Sequence, residues 1–117
     1  MTQNAPMLAT EKFQGAEQMW FWFLYSRAMR CNILARQHSN PTRRPCEVLD
    51  VETMITKLYL AGKLTDEQLN IIKEYGDKRR APHQHIWKEN HAYAQWNTAM
   101  GVLEHAGRAR GWIEKTK

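Results

Sequence analysis

The chain has 117 residues, 43% hydrophobic and 25% charged, with a net charge of +5. That size and balance fit one domain with a modest core and exclude a disordered tail. No apolar run approaches the roughly 20 residues that a bilayer requires, and no secretory leader is recognisable, so the expected compartment is the cytoplasm, with Cys31 and Cys46 reduced.

Charge is segregated along the chain. Residues 1–46 hold six Lys/Arg against two Asp/Glu, residues 47–77 three against seven, and residues 78–117 eight against three. A positive face formed by the two ends is the footprint of a nucleic-acid binder; internal charge pairing is the alternative.

Residues 1–12 lack periodicity and read as a flexible lead-in to a single helical domain over 13–117. Helix one is expected from Gln14 or Gly15 to about Gln37, stopped by His38-Ser39-Asn40-Pro41. It contains Met19-Trp20-Phe21-Trp22-Phe23-Leu24-Tyr25. At about 100° per residue these seven side chains surround the helix, so it needs enclosure by other elements or a partner. A loop with Arg43 and Arg44 between two prolines follows.

The pattern predicts a second helix with Asp50 as N-cap, carrying Val51, Met54, Ile55 and Leu58 on one face and ending at Gly62. Thr65 and Gln68 form a capping box for a third, lined by Leu69, Ile72 and Tyr75 and stopped by Gly76. The two make a central αα-hairpin. Its acidic helices and turn spacing fit poorly with a major-groove reader. A second basic loop, Asp77-Lys78-Arg79-Arg80-Ala81-Pro82, leads to a fourth helix starting around Ile86 to Lys88. There Ala92, Tyr93, Trp96, Ala99, Met100, Leu103 and Ala106 share one arc, with Gly107 and Gly111 as breaks and Trp112-Ile113 folding back or extending. The expected fold is all-α: a compact four-helix domain with helix one, apolar all round, in the middle, and Tyr93 and Trp96 against its aromatic run.

No catalytic constellation emerges. His83, His85, His91 and the cysteines lack the spacing of a zinc site, and solvated histidines near a helix start explain them more simply. Neither cysteine has a paired base, Glu47, Asp50 and Glu52 fit a helix N-terminus, and no glycine-rich phosphate loop is present. The expectation is a protein that is not an enzyme, with no cofactor, no metal and no small-molecule substrate.

Two readings remain. Arg43, Arg44, Lys78, Arg79, Arg80, Arg108 and Arg110 lie at predicted helix ends, where they can grip phosphate for a small nucleic-acid-associated, transcription-type regulator, aided by an exposed aromatic stacking on a base. Alternatively Trp20, Trp22 and Phe23 dock on a protein partner or a second copy, making the chain a non-catalytic adaptor.

Arg44-Pro45-Cys46, Leu49-Asp50-Val51-Glu52, Leu58-Tyr59 with Gly62 and Leu64, Tyr75-Gly76, Pro82, Trp96 with Ala99-Met100, and Arg110-Gly111-Trp112-Ile113 carry a resemblance. The chain resembles a group of short, uncharacterised bacterial proteins. The resemblance implies a small helical domain and no catalytic residues.

Overall fold

A computed structural model describes residues 10–29 and 44–115. Among the described residues four α-helices carry the fold: α1 (Ala16–Met29), α2 (Val48–Leu60), α3 (Asp66–Lys78) and α4 (Asn90–Ala109), with a 3-10 turn at Trp87–Glu89 leading into α4. There is no β-strand among the described residues beyond one isolated parallel bridge between Phe13 and Ile113. The domain is all-α, as its helix-period stripes require. The expected end of helix one near Gln37 lies outside the described residues, as do Arg30, Cys31 and Arg36.

The aromatic run sets the packing. α1 touches all three other helices, and α3 and α4 form the most extensive helix pair. Met19, Trp20 and Phe23 are buried, Phe21, Trp22 and Leu24 are half-buried, and Tyr25 remains 54% exposed at the far end of the run. Trp96, fully buried, meets Phe21 at 5.8 Å and Tyr75 of α3 edge-on at 6.4 Å. Of the two α4 rings expected against the aromatic run, Trp96 meets it at Phe21, and Tyr93 makes no ring contact with it among the described residues. The Trp96 indole N–H donates to Glu17 Oε2 at 2.8 Å, so this large ring is buried without an orphaned donor.

Three boundaries differ from the pattern-based expectation, each for a local reason. Glu47, not Asp50, caps α2: Asp50 sits one turn inside and its carboxylate accepts the Glu47 backbone N–H at 2.8 Å. Gly76 does not stop α3, which runs on to Lys78. A Cβ at Gly76 would lie 2.2 Å from Leu24 Cδ1 and 3.1 Å from the Trp20 indole nitrogen. The glycine is a notch that lets α1 press against α3, where Trp20 Nε1 donates to the Ile72 carbonyl at 2.8 Å. Likewise α4 continues through Gly107, whose missing Cβ makes room for Ile113.

The capping box at Thr65 and Gln68 forms as expected. Tyr59 Oη donates to Asp66 Oδ1 at 2.6 Å across the turn from α2 to α3. After α4 the chain does both things its sequence allowed: Ile113 returns to the core, 1% exposed, and pairs in extended form with Phe13. Phe13 N–H donates to the Trp112 carbonyl at 2.9 Å and Glu114 N–H to the Phe13 carbonyl at 2.8 Å. This clasp joins the two sequence ends of the domain.

Candidate functional site

The three helix ends at α2, α3 and α4 share one hydrogen-bond pattern. Lys63 N–H bonds the Leu58 carbonyl, Arg80 N–H the Tyr75 carbonyl and Trp112 N–H the Gly107 carbonyl, each with the inner bond that completes a Schellman turn. The turn needs one residue in the left-handed region. Gly62 and Gly111 supply it at φ +79°, but after α3 the position is Arg79, at φ +62°. For a residue with a Cβ that conformation costs about 1–2 kcal/mol. Arg79 is exposed and has no acidic partner among the described residues. Backbone strain held at an exposed cation is a pointer to function.

The loop that follows is clamped shut. Arg80 grips the Glu89 carboxylate with two parallel bonds, Nη1 to Oε1 at 3.0 Å and Nη2 to Oε2 at 2.8 Å, and Nη1 also donates to the Ala81 carbonyl at 3.1 Å. Glu89 Oε1 accepts the His83 backbone N–H at 2.8 Å as well. The Arg80 hydrogen bonds, joined by that of His83, hold the Glu89 carboxyl well below its usual range, at about 2. The same pairing raises the Arg80 pKa. Such a bidentate pair fixes geometry as well as charge. Pro82 is buried under the loop, while the rigid turn presents Trp87, 80% exposed, and Ile86, 43% exposed. Lys88, beside the clamp, is exposed and has no acidic partner among the described residues. A large aromatic held outward on a braced loop, with a cation next to each arm of the brace, is the most distinctive surface feature of the described structure.

Of the other basic positions singled out in the sequence, those among the described residues are engaged within the fold. Arg44 Nη1 donates to the Glu11 and Lys12 carbonyls at 3.1 and 3.4 Å, and its guanidinium lies 4.7 Å over the Phe13 ring. Arg44 therefore ties the segment preceding α1 to the body of the domain. Lys78 pairs with Glu74 at 3.3 Å and lies 4.5 Å over Tyr75. Arg108 pairs with Glu104 at 2.7 Å, and Glu104 also accepts the Ala16 N–H at 2.8 Å. Arg110 donates to the Ala106 carbonyl at 3.3 Å and lies 5.7 Å over Trp112. Arg43 lies outside the described residues.

These cations do not form one rim. Arg44, Arg108 and Arg110 gather about the Phe13–Ile113 clasp, at the start of α1. Arg79 instead lines a groove with Leu24, Tyr25 and Met29, at the other end of the described helix. A helix of 14 residues rises about 21 Å, so most of that length separates the two groups.

The aromatic positions proposed for docking need correction. Trp20 and Phe23 are each 3% exposed, and Trp22 is half-buried with its ring 5.1 Å from Phe13. Packing against the neighbouring helices removes Trp20 and Phe23 from the surface, while Trp22 keeps part of its ring exposed. Trp87 and Lys88, which the sequence pattern did not single out, are the exposed side chains that the structure adds to the candidates. The signal for Trp87 was a large ring outside the apolar arc of the fourth helix, a side chain with no buried face to join.

Cys46 is buried, and burial pushes its thiol up to about 12, which leaves it a packed thiol without thiolate character at neutral pH. Among the described residues no group of three or more His, Cys, Asp or Glu side chains is placed to hold a metal ion, and no helix is long and apolar enough to cross a membrane. No protein-family model matches the chain, and comparison with curated proteins and with solved structures returns no match.

Proposed function

We propose that the protein is a small nucleic-acid-binding regulator whose Arg79–Glu89 loop engages an unpaired strand. Trp87 stacks on a base while Arg79 and Lys88 take the flanking phosphates. Stacking on a protruding ring requires a base whose face is accessible, which favours single strands and loops over a closed duplex. The observation that carries this reading is Trp87 itself, four-fifths exposed on a loop that the Arg80–Glu89 pair holds rigid. An exposed tryptophan on a mobile loop could fold back onto the domain; one held out by a bidentate ion pair is already arranged for contact. The charge supports the same reading, since the segment from Lys78 to His91 has four Lys/Arg and a single carboxylate, Glu89, which the clamp neutralises.

The test is fluorescence anisotropy of labelled single-stranded DNA and RNA oligonucleotides over a salt series, with a duplex of the same sequence alongside. Trp87→Ala should weaken single-strand binding by about 5- to 150-fold, the range for one stacked base, and leave the salt slope unchanged. Replacing Arg79 and Lys88 by alanine should flatten the slope by about 0.7 for each phosphate the protein no longer neutralises. No binding at low salt, or undiminished binding by Trp87→Ala, would overturn the proposal.

A further inference from the structure

A second surface, independent of the loop, lies between α2 and α4. A groove of about 500 Å³ is floored by Leu58, Val102 and Ala106 and edged by Lys63, His105 and Arg110, with no carboxylate among the residues that line it. Gly101, exposed and in the middle of α4, is among the residues that line it. Unlike Gly76 and Gly107, it accommodates nothing in its own fold: a Cβ built there has no neighbour within 4 Å. A glycine in a helix interior weakens the helix, and here no internal contact accounts for it. An approach from outside does account for it, because the notch lets another backbone come close to α4.

We infer that this groove docks an acidic amphipathic helix from a partner protein. The side of the groove formed by α4 runs from Thr98 to Arg110, roughly 18 Å or a little over three helical turns, which suits a short helix laid along it. Apolar anchors spaced i, i+3 or i+4, and i+7 meet Leu58, Val102 and Ala106, with the partner helix passing over Gly101. Lys63, His105 and Arg110 lie along the edges, so aspartate and glutamate flanking the anchors complete the match. A second copy of the chain is the poorer occupant, since a two-fold axis through the groove would bring its basic edges together.

The decisive experiment is a displayed library of helical 12-residue peptides selected on the full-length protein and counter-selected on Gly101→Gln. This variant puts a helix-favouring side chain at an exposed position where a Cβ meets nothing within 4 Å, so it should melt at or above the wild-type temperature. Lys63→Glu, on the exposed turn after α2, tests the charge separately. Enriched peptides should carry an apolar stripe flanked by Asp and Glu, and should lose at least tenfold in affinity with either variant while binding Trp87→Ala normally. Failure to enrich any peptide, enrichment of basic peptides, or equal binding to Gly101→Gln would overturn the inference. Light scattering that finds a dimer dissociated by Gly101→Gln would also overturn it, assigning the groove to self-association.

Discussion

Arg79 allows strain and function to be separated in one position. Replacing it by glycine removes the left-handed penalty of about 1–2 kcal/mol. About 0.5–1 kcal/mol of that is offset by the greater freedom of glycine in the unfolded chain, which leaves a net stabilisation of roughly 0.5–1 kcal/mol. For a domain of this size the melting temperature should rise by about 2–6 °C. Arg79→Ala is the matched control: it removes the same guanidinium but keeps a Cβ at φ +62°, so its stability should stay within about 0.5 kcal/mol of wild type. Urea melts followed by far-ultraviolet circular dichroism measure both, and an unchanged m-value would show that the unfolded reference has not shifted. The two variants should weaken single-strand binding alike, because both lack the cation. If the glycine variant is no more stable than the alanine variant, the conformational argument is wrong. If it is stabilised and binds undiminished, the strain at Arg79 has no connection with nucleic acid.

Two further predictions concern the core and the clamp. Trp20→Phe should cost about 2–3 kcal/mol, combining the lost indole bond to the Ile72 carbonyl with the space left by the smaller ring, whereas Trp22→Phe, at a half-buried site, should cost under about 1 kcal/mol; equal losses in chemical melts would contradict the packing described for α1. The Glu89 carboxyl is held at about 2 in the fold against an ordinary 4.5, so its contribution is complete above pH 4.5 and disappears as pH falls through 2. The stability gap between wild type and Glu89→Gln should accordingly be full at pH 6 and close towards pH 2, and a gap independent of pH in thermal melts would show that the clamp is not electrostatic.

Much of the fold could be read along the chain because its determinants are local. Thr65 and Gln68 are three residues apart, and the stripe through Ala92, Trp96, Ala99 and Leu103 repeats every three to four positions, so each announces a helix before any tertiary contact is known. The misreadings share a different origin. Gly76 resembles a helix stop until Trp20 and Leu24, more than fifty residues earlier in the chain, are seen to press against it. Asp50 has the chemistry of a cap, and only the backbone shows that it serves the cap from one turn inside. The basic loops looked uniformly available because neither the nine-residue reach from Arg80 to Glu89 nor the hold of Arg44 on the Glu11 and Lys12 carbonyls follows any periodic rule. Trp87 was overlooked because periodicity identifies side chains that join a face and passes over one that joins none.

The clasp between Phe13 and Ile113 also determines how the domain would answer a mechanical load. The pairing is parallel, so tension applied through the residues before Phe13 and after Ile113 pulls the two segments past each other along their length. The bonds from Phe13 N–H to Trp112 and from Glu114 N–H to Phe13 are then loaded together in shear, not opened one after the other like a zip. Both side chains at the bridge are buried, at 0% and 1% exposure, so sliding the clasp also drags apolar surface into water before any helix unravels. Force entering through the segment before Phe13 therefore meets first the hold of Arg44 on the Glu11 and Lys12 carbonyls and then this junction in shear, so the two resist together at the seam between the ends of the domain.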